Sequence, residues 1–267
     1  LGGNPVYDAP ADLKLDLKKV KNVIHLGLAA DETAAQAHWH LPGTHFLEAW
    51  GDCRSSDGTA SVVQPLIEPL FGGHSAAELL GLLASGEDKP GYDLVRETWS
   101  TLLPAGAAPA AVDDAFNKVL HDGLLAGSAV PPVATIAINP ATVPAEALAQ
   151  LARPAAAGLE LVFRASPAVH DGRFANVGWL QEMPDAVTKI TWGNAALLSP
   201  KTAERLKLEN EDGVRVQVGA AKVELPAWIV PGQADETVIV HLGYGRTAAG
   251  RAGTGVGGDV YPLRTSA

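Results

Sequence analysis

The sequence has almost no cysteine and no long apolar run. Its single cysteine, Cys53, excludes an internal disulfide and any cysteine-ligated iron–sulfur cluster within this chain. No stretch of about 18 or more consecutive apolar residues occurs, so we expect a soluble chain without direct membrane insertion. Lysine and arginine number 20 against 30 aspartates and glutamates, and this net charge of −10 argues against a nucleic-acid partner.

The rest of the composition is that of a globular protein. Apolar residues make up 47% and charged residues 19% of the 267 residues, enough for two domains with substantial cores. The sequence begins at Leu1 and shows no basic-then-apolar leader. We interpret it as a processed chain or an excised piece of a longer one.

The stretch from Asp31 to Thr59 combines a helix start, a strand and a polar loop. Asp31 is predicted to cap a short helix through residues 33–35. A strand over His38–Leu41 ends at Pro42, which cannot donate to a ladder. The polar residues that follow are Thr44, His45, Glu48, Asp52, Arg54, Ser55, Ser56 and Asp57. Because ligands of open parallel sheets bind beyond the carboxyl ends of strands, this loop is the first candidate site.

Alternating helical and strand patterns predict a parallel α/β sheet in the first part of the chain. Residues 11–20 are apolar at helical spacing, and residues 23–28 form an apolar run typical of a buried strand. Further predicted elements are helices at 75–83, which a capping box begins, 92–103, 111–121 and 144–152, and a strand at 133–138. The Ala, Pro and Gly-rich piece at 153–158 indicates a linker.

From residue 159 the pattern changes to strands separated by polar turns. The predicted strands cover residues 159–163, 214–218, 221–229 and 237–242. Ser199 and Pro200 are predicted to begin a short helix that ends at Leu206. This pattern indicates a compact β-barrel.

Several long motifs carry a resemblance to a known family. They read GGNPVYDAP, DETAAQAHWHLPGTHFLEAWGD, DGTASVVQPLIEPLFGG, GYDLVRETW, DGRFANVGWLQEMPDAVTKITWGNAALLSPKTAERL and GVGGDVYPLRTSA. Together they span nearly the whole chain. The sequence is similar to the molybdopterin-oxidoreductase-like iron–sulfur subunit of alternative complex III, a bacterial quinol:electron-acceptor oxidoreductase.

The resemblance implies a fold and a cellular setting. The fold is α/β plus β, with a partial Rossmann-like parallel α/β domain and helical insertion at residues 1–157. A molybdopterin-dinucleotide-binding-like double-psi β-barrel follows at residues 158–267. The implied partners are the other subunits of a membrane quinol oxidoreductase and the remainder of a longer chain. The implied location is peripheral, on the periplasmic face of the cytoplasmic membrane.

The resemblance also implies that this region carries no cofactor, with the iron–sulfur clusters in a part of the longer protein absent from this chain. Residues at positions expected to line the remains of a pterin-dinucleotide cleft are Gly3, Asn4, Glu32, Thr33, Asn194, Arg246 and Arg251. A Gly-rich loop at 243–258 carries the two arginines, whose forks and free backbone amides suit a pyrophosphate. Molybdopterin guanine dinucleotide is therefore the alternative cofactor prediction. The competing interpretation is a long crossover loop.

Three histidines invite a metal prediction. His38 and His40 are two apart on a strand and so point to one face, and His45 follows in the loop. Zinc would need Glu48 or Asp52 as a further ligand. We predict no metal, because spacing alone does not show the required convergence, and hydrogen bonding at an interface is the simpler role.

The loop also holds candidates for acid–base and thiol chemistry. Glu48, Asp52 and Asp57 could serve as an acid/base set, but spacing fixes no nucleophile or partner histidine. Arg54 beside Cys53 could lower the pKa of the thiol, and a lone buried thiol is the alternative.

Three functions are compatible with these patterns. The first is a non-catalytic, cofactor-free scaffold within an electron-transfer subunit, whose assembly is the oxidoreductase. The second is a fragment of a genuine molybdopterin-dinucleotide-binding oxidoreductase. The third is a small-ligand or metal-binding module.

Overall fold

The computed structural model describes residues 2–13, 15–102, 109–133, 144–145 and 158–266. These residues form a mixed α/β structure that divides into two compact units. The first unit comprises Leu1–Gly2, Ile24–Ala29 and Trp39–Ala147, and the second comprises Gly3–Val23, Ala30–His38 and Leu148–Ala267. Segments near the amino terminus therefore alternate between the units. The predicted domain assignment, 1–157 and 158–267, stays a prediction.

The first unit contains two small sheets. Strand β1 (Ile24–Gly27) pairs in parallel with β2 (Trp39–Pro42), so the predicted parallel pair is confirmed. Strand β3 (Gly51–Arg54) pairs antiparallel with β4 (Ala60–Val63). The loop prediction for the segment after Gly51 was therefore wrong, because the turn at Ser55–Thr59 closes a hairpin through the Ser55 N–H and the Thr59 carbonyl, 3.0 Å apart.

Among the described residues of the first unit are three longer helices: α2 (Ala76–Ser85), α3 (Gly91–Leu102) and α4 (Pro109–Asp122). The predicted capping box of α2 is confirmed, since the Glu78 N–H donates to Ser75 Oγ and the Ser75 N–H donates to the Glu78 carboxylate. Trp99 and Phe116 are fully buried between α3, α4 and β4 and form the centre of this unit's core.

The second unit is built on a five-stranded sheet in the order β5-β9-β6-β8-β7. The strands are β5 (Glu160–Arg164), β6 (Ala196–Leu198), β7 (Gly213–Val218), β8 (Ala221–Ile229) and β9 (Thr237–His241). Pairs β5/β9 and β6/β8 are parallel, whereas β6/β9 and β7/β8 are antiparallel. All four strand predictions in this part are confirmed, and β6 was not predicted.

The second unit also contains short helices. They are α1 (Pro5–Asp8), α5 (Gly178–Glu182), α6 (Pro200–Leu206) and α7 (Gly250–Gly253). The prediction for α6 is confirmed, because Ser199 Oγ accepts from the Thr202 N–H at 3.1 Å and Pro200 occupies the first turn. Val240 and Ala227 are fully buried in the core beneath the sheet.

The predicted amphipathic helix at residues 11–20 was wrong. Its described residues form two 3-10 turns, Ala11–Leu13 and Leu17–Lys19, and of the apolar positions only Leu17 is buried. Asp16 accepts from the Lys18 N–H at 3.2 Å, and this local bond begins a new turn instead of continuing a helix.

Other predictions have mixed outcomes. The helix expected after Asp31 is reduced to a 3-10 turn, Ala34–Gln36. Asp31 nevertheless caps it by accepting from the N–H groups of Thr33 and Ala34. The strand at 133–138, the helix at 144–152 and the linker at 153–158 lie almost entirely outside the described residues. Within the described residues, no helix combines the length and apolar character needed to traverse a bilayer.

Candidate functional site

Asn4 and Thr33, two of the predicted cofactor-binding residues, bind each other in the second unit. Asn4 Oδ1 accepts from the Thr33 N–H at 3.0 Å and from the Thr33 hydroxyl at 2.7 Å. Thr33 Oγ1 in turn accepts from the N–H of Val6 at 3.1 Å, in the first turn of α1. The amide nitrogen of Asn4 donates to Glu32 Oε2 at 2.6 Å. The polar groups of both side chains are thus bonded within the chain.

Glu32 and Arg246 form a buried ion pair, each side chain only 8% exposed. Arg246 Nη2 donates to Glu32 Oε2 at 2.6 Å, and Arg246 Nε lies 3.2 Å from both carboxylate oxygens. The N–H groups of Thr247 and Ala248 each donate to Glu32 Oε1 at 2.8 Å. Arg246 Nη1 donates to the carbonyl of Gly172 at 2.8 Å. We call Asn4, Glu32, Thr33 and Arg246 with these partners the Glu32 network.

The Glu32 network keeps both ions charged. Burial alone raises the pKa of Glu32, but hydrogen bonds from Arg246, Ala248 and Asn4 outweigh it and hold the pKa at about 2. Burial likewise lowers the pKa of Arg246, and the adjacent Glu32 carboxylate more than offsets that effect. Desolvation of the pair is therefore balanced by bonds inside the protein.

Aromatic side chains enclose one side of the network. The Arg246 guanidinium lies 5.0 Å from the centre of the Tyr7 ring, within cation–π range. The Tyr7 hydroxyl donates to the carbonyl of Tyr244 at 2.6 Å, and its ring meets Tyr261 edge-on at 4.8 Å. Nearby, burial raises the pKa of Asp259 to about 6. Sequence analysis did not identify Tyr7 or Asp259.

Gly172 is a further residue that sequence analysis did not select. Its φ of +106° is in the region that favours glycine, and a Cβ there would lie 3.0 Å from Tyr7 and 3.1 Å from Arg246. The Asp171-Gly172 pair is a turn signal in the sequence, but the turn type alone does not reveal which side chain needs the space.

Asn194 is 5% exposed and joins two distant segments of the second unit. Its Nδ2 donates to the carbonyls of His241 at 2.8 Å and Gly258 at 3.0 Å, and its Oδ1 accepts from the Gly258 N–H at 2.9 Å. The cavity beside it has a volume of about 20 Å³, which suits one water molecule. Gln181 lines the same cavity, and its buried Oε1 has no partner among the described residues.

Gly3 and Arg251 are the two exposed residues of the predicted cofactor-binding set. Gly3 is exposed, with a φ of +91°. Arg251 lies in α7, is exposed, and makes no hydrogen bond or ion pair with the described part of the chain. Of the two arginines in the Gly-rich loop, Arg251 alone has its guanidinium free for a ligand, whereas Arg246 is neutralised.

The histidines of the metal prediction have separate partners. In the second unit, His38 Nδ1 accepts from the Val23 N–H at 3.0 Å. In the first unit, Nδ1 of His40 lies 2.9 Å from Nδ1 of buried His25, and the two rings stack. Sequence analysis missed His25, although the parallel register of β1 and β2 places it directly opposite His40.

His45 and the nearby carboxylates stabilise loops. Glu48 accepts from the N–H groups of His45 at 2.8 Å and Leu70 at 3.0 Å. Asp57 accepts from the Ser55 hydroxyl and the Thr59 N–H, which shapes the hairpin turn. Among residues 2–13, 15–102, 109–133, 144–145 and 158–266, no group of three or more His, Cys, Asp or Glu side chains is arranged to hold a metal ion.

Cys53 and Asp52 lie side by side on β3, and both are exposed. The alternative of a buried Cys53 thiol was wrong, because this hairpin strand presents its side chains to solvent over most of its length. Asp52 and Cys53 are therefore neighbours in one hairpin, but the described contacts do not join them into a reaction centre.

The chain is similar to known proteins in sequence and in fold. No family model matches it. It is 28% identical over 273 aligned residues to the menaquinone reductase, molybdopterin-binding-like subunit of Nitratidesulfovibrio vulgaris, a match covering 97% of this chain and 37% of that protein. The chain therefore spans little more than a third of the curated relative's length. This similarity supports the molybdopterin-oxidoreductase-like part of the predicted resemblance.

A solved structure has a similar fold. Acetylene hydratase from Pelobacter acetylenicus superposes with a TM-score of 0.52 at 18% sequence identity, over 92% of this chain and 36% of that one. At this identity the likeness concerns the fold alone.

Proposed function

We propose that this chain is a non-catalytic, cofactor-free, molybdoenzyme-like structural region of an iron–sulfur electron-transfer subunit. The subunit would belong to a membrane-associated quinol oxidoreductase of the alternative complex III type, on the periplasmic face. In this proposal the first part is a partial Rossmann-like domain and the second a double-psi barrel. The similarity to a menaquinone reductase subunit supports the quinone setting, and the name of that subunit, molybdopterin-binding-like, supports the kinship.

The Glu32 network is the single observation that carries the cofactor-free part. A pterin dinucleotide presents a pyrophosphate, which needs unpaired cations and N–H donors. Here the Arg246 charge is neutralised, and the N–H groups of Thr247 and Ala248 donate to Glu32. The Glu32 carboxylate would also repel a phosphate. These residues, as arranged, do not fit the dinucleotide.

The Asn194 region leads to the same conclusion. Both polar atoms of its amide are bonded to main-chain groups of His241 and Gly258. Asn194 therefore stabilises the Gly-rich loop, and both N–H donors of its amide are used within the chain.

An apolar surface in the first unit supports a docking role. Leu66, Ile67, Leu70 and Phe71 are exposed, Phe71 to 84%, and we call them with Phe46 the 66–71 surface. The N–H groups of Leu66 and Ile67 both donate to the Leu47 carbonyl, which fixes this segment against the loop that carries Phe46. Large apolar side chains that are exposed close together in the chain are candidates for an interaction site.

The test uses the native assembly, purified with the full-length protein that contains this chain. Molybdenum and iron are measured by mass spectrometry, and pterin by fluorescence after acid oxidation. We expect iron without molybdenum or pterin. One molybdenum and one or two pterins per copy would establish the genuine molybdopterin oxidoreductase instead, with exposed Arg251 as the first residue to examine.

The docking role has its own test. The double variant Leu70→Ser, Phe71→Ser is compared with wild type. It should reduce the amount of partner subunit that co-purifies with the full-length protein, while circular dichroism shows that the protein itself remains folded. The matched control is Leu80→Ser, a change at another exposed apolar side chain of the first unit that lies outside the 66–71 surface. Equal recovery of partners in all three proteins would refute the docking role of this surface.

A further inference from the structure

A second cavity of the second unit lies beside β8 and has a volume of about 340 Å³. Two indole side chains, Trp192 and Trp228, and two carboxylates, Glu211 and Glu224, line it together with the main chain of Gly257 and Gly258. We call it the Trp192–Trp228 pocket. Its volume is within the range of sites that hold small ligands or single side chains.

The charged side chains of the lining are all negative. Every charged residue of the lining is a glutamate, every aromatic one is a tryptophan, and no lysine, arginine or histidine takes part. Indole faces attract cations more strongly than other aromatic rings, and adjacent carboxylates add charge attraction. An anion or a phosphate would meet repulsion here. The lining therefore selects for positive charge with apolar bulk.

The two carboxylates differ in whether another side chain of the described chain is paired with them. Glu224 pairs with Arg215 at 2.8 Å, but both side chains are mostly exposed, so that pair is weak. Glu211 is exposed, and its carboxylate has no hydrogen-bond or ion-pair partner in the part of the chain that the structure describes. Glu211 is thus the carboxylate whose charge remains available to a ligand.

Two residues of the lining have backbone conformations that cost conformational free energy. Trp192 and Glu211 have φ values of +52° and +74°, in the left-handed region that side-chain-bearing residues rarely adopt. Hydrogen bonds hold both: the Trp192 N–H donates to the Gln181 carbonyl at 3.0 Å, and the Glu211 N–H donates to the Ala227 carbonyl at 2.8 Å. Strain that the surrounding structure maintains at one cavity is typical of a binding site.

The glycine wall is also held in place. Asn194 bonds both the N–H and the carbonyl of Gly258, and a Cβ on Gly258 would lie 2.6 Å from Leu225 Cδ2. The main chain of Gly258 is thus held in place at the pocket, and Trp192 of the same lining is 43% exposed.

We propose that the Trp192–Trp228 pocket binds an organic cation, an alkylammonium or guanidinium group, against its indole side chains with Glu211 as the counter-ion. The group can belong to a free small molecule or to a basic side chain of a peptide. The proposal does not depend on the scaffold function, since Trp192, Trp228 and Glu211 take no part in the argument for that function.

The test is a titration of the full chain followed by the indole N–H signals of its six tryptophans in a nitrogen–proton NMR spectrum. The probes are tetramethylammonium against tert-butanol, its neutral counterpart, and arginine amide against citrulline amide. A basic tripeptide, Gly-Arg-Gly, serves as the peptide arm. We expect saturable shifts of the Trp192 and Trp228 signals with the cations alone. A tighter response to Gly-Arg-Gly than to arginine amide would identify a peptide ligand.

Variants make the test specific. Glu211→Gln alters an exposed side chain and should weaken cation binding at least threefold, and Trp192→Phe should weaken it while retaining part of the response. Trp179→Phe, at a tryptophan 86% exposed and outside the lining, should leave binding unchanged. Equal shifts with neutral and cationic probes, or unaltered affinity in Glu211→Gln, would overturn the proposal.

Discussion

Around Glu32, in the second unit, charged side chains are buried, whereas on the 66–71 surface, in the first unit, large apolar side chains face solvent. Each region reverses the usual distribution of polar and apolar groups. The buried charges are acceptable because five donors from four residues converge on one carboxylate. The exposed apolar groups have no such compensation within the first unit. The charged groups of the first region are satisfied by bonds within the chain, and the apolar groups of the second remain exposed.

This contrast argues for a structural role. Apart from Arg251, the polar side chains predicted to hold a pterin dinucleotide are bonded within the chain, and large apolar side chains of the 66–71 surface face solvent. The following changes break or sharpen the contrast, beginning with the largest effect.

Replacing Arg246 by methionine should cost about 3–5 kcal/mol of unfolding free energy at pH 7, because it leaves the Glu32 carboxylate buried without its counter-ion. Urea unfolding followed by circular dichroism measures the loss. Arg205→Met is the matched control. Arg205 also forms a bidentate ion pair with a glutamate, Glu236, but this pair lies at the surface. That control should change stability by less than about 1 kcal/mol. Similar losses in both variants would contradict the contrast.

Lowering the pH should reduce the contribution of the Glu32 network to the free energy of unfolding within a defined pH range. The folded-state pKa of Glu32, about 2, is below its ordinary value of 4.5, so the fold favours the ionised form. The resulting stability is fully present above pH 4.5 and is lost as pH falls towards 2, in total about 3 kcal/mol.

Comparing wild type with Glu32→Gln at pH 7, 4.5 and 3 isolates this contribution from that of other carboxylates. The difference in unfolding free energy between the two proteins should shrink as pH falls. A difference that stays constant across the three pH values would show that the Glu32 carboxylate gains nothing from folding.

Asp259 should have the opposite pH dependence. Its folded-state pKa of about 6 exceeds the ordinary 3.8 because of burial, so the fold favours the protonated form. That stability is present below pH 3.8 and is lost as pH rises through 6. Asp259→Asn imitates the protonated form and retains an oxygen for the Tyr261 N–H, now bonded at 3.0 Å.

We therefore expect Asp259→Asn to stabilise the protein by about 2 kcal/mol at pH 8, with allowance for partial exposure, and to have little effect at pH 4. Thermal unfolding at both pH values measures this. Equal effects at the two pH values would exclude an ionised, desolvated Asp259.

The smallest effect on stability is expected at the 66–71 surface. Phe71→Ser should change the unfolding free energy by less than about 0.5 kcal/mol and should reduce self-association of the isolated chain, measured by light scattering. Trp99→Ala, in the buried core of the same unit, should cost about 3–5 kcal/mol. A large loss in Phe71→Ser would show that Phe71 packs within the unit.

The accuracy of the sequence predictions follows the range of the interactions concerned. The capping box at Ser75 and Glu78 and the Ser199-Pro200 helix start depend on residues a few positions apart, and both were predicted. The β3–β4 hairpin was missed because β3, Gly51–Arg54, carries glycine and charged residues that favour loops and is largely exposed.

The candidate site depends on contacts that no local pattern encodes. Asn4 and Glu32 are 28 positions apart and Glu32 and Arg246 are 214 apart, yet they converge. Resemblance to a family selected these residues, but it gave no indication that they bond to one another. That outcome depends on tertiary packing, including the space at Gly172.

The most direct measurement of the central claim is the coupling free energy between Glu32 and Arg246. It comes from a double-mutant cycle of wild type, Glu32→Gln, Arg246→Met and the double variant, each unfolded in urea at pH 7. The account predicts a coupling of at least about 2 kcal/mol, as expected for a buried, multiply bonded pair. A coupling below about 0.5 kcal/mol would mean that the two side chains do not neutralise each other, and would contradict it.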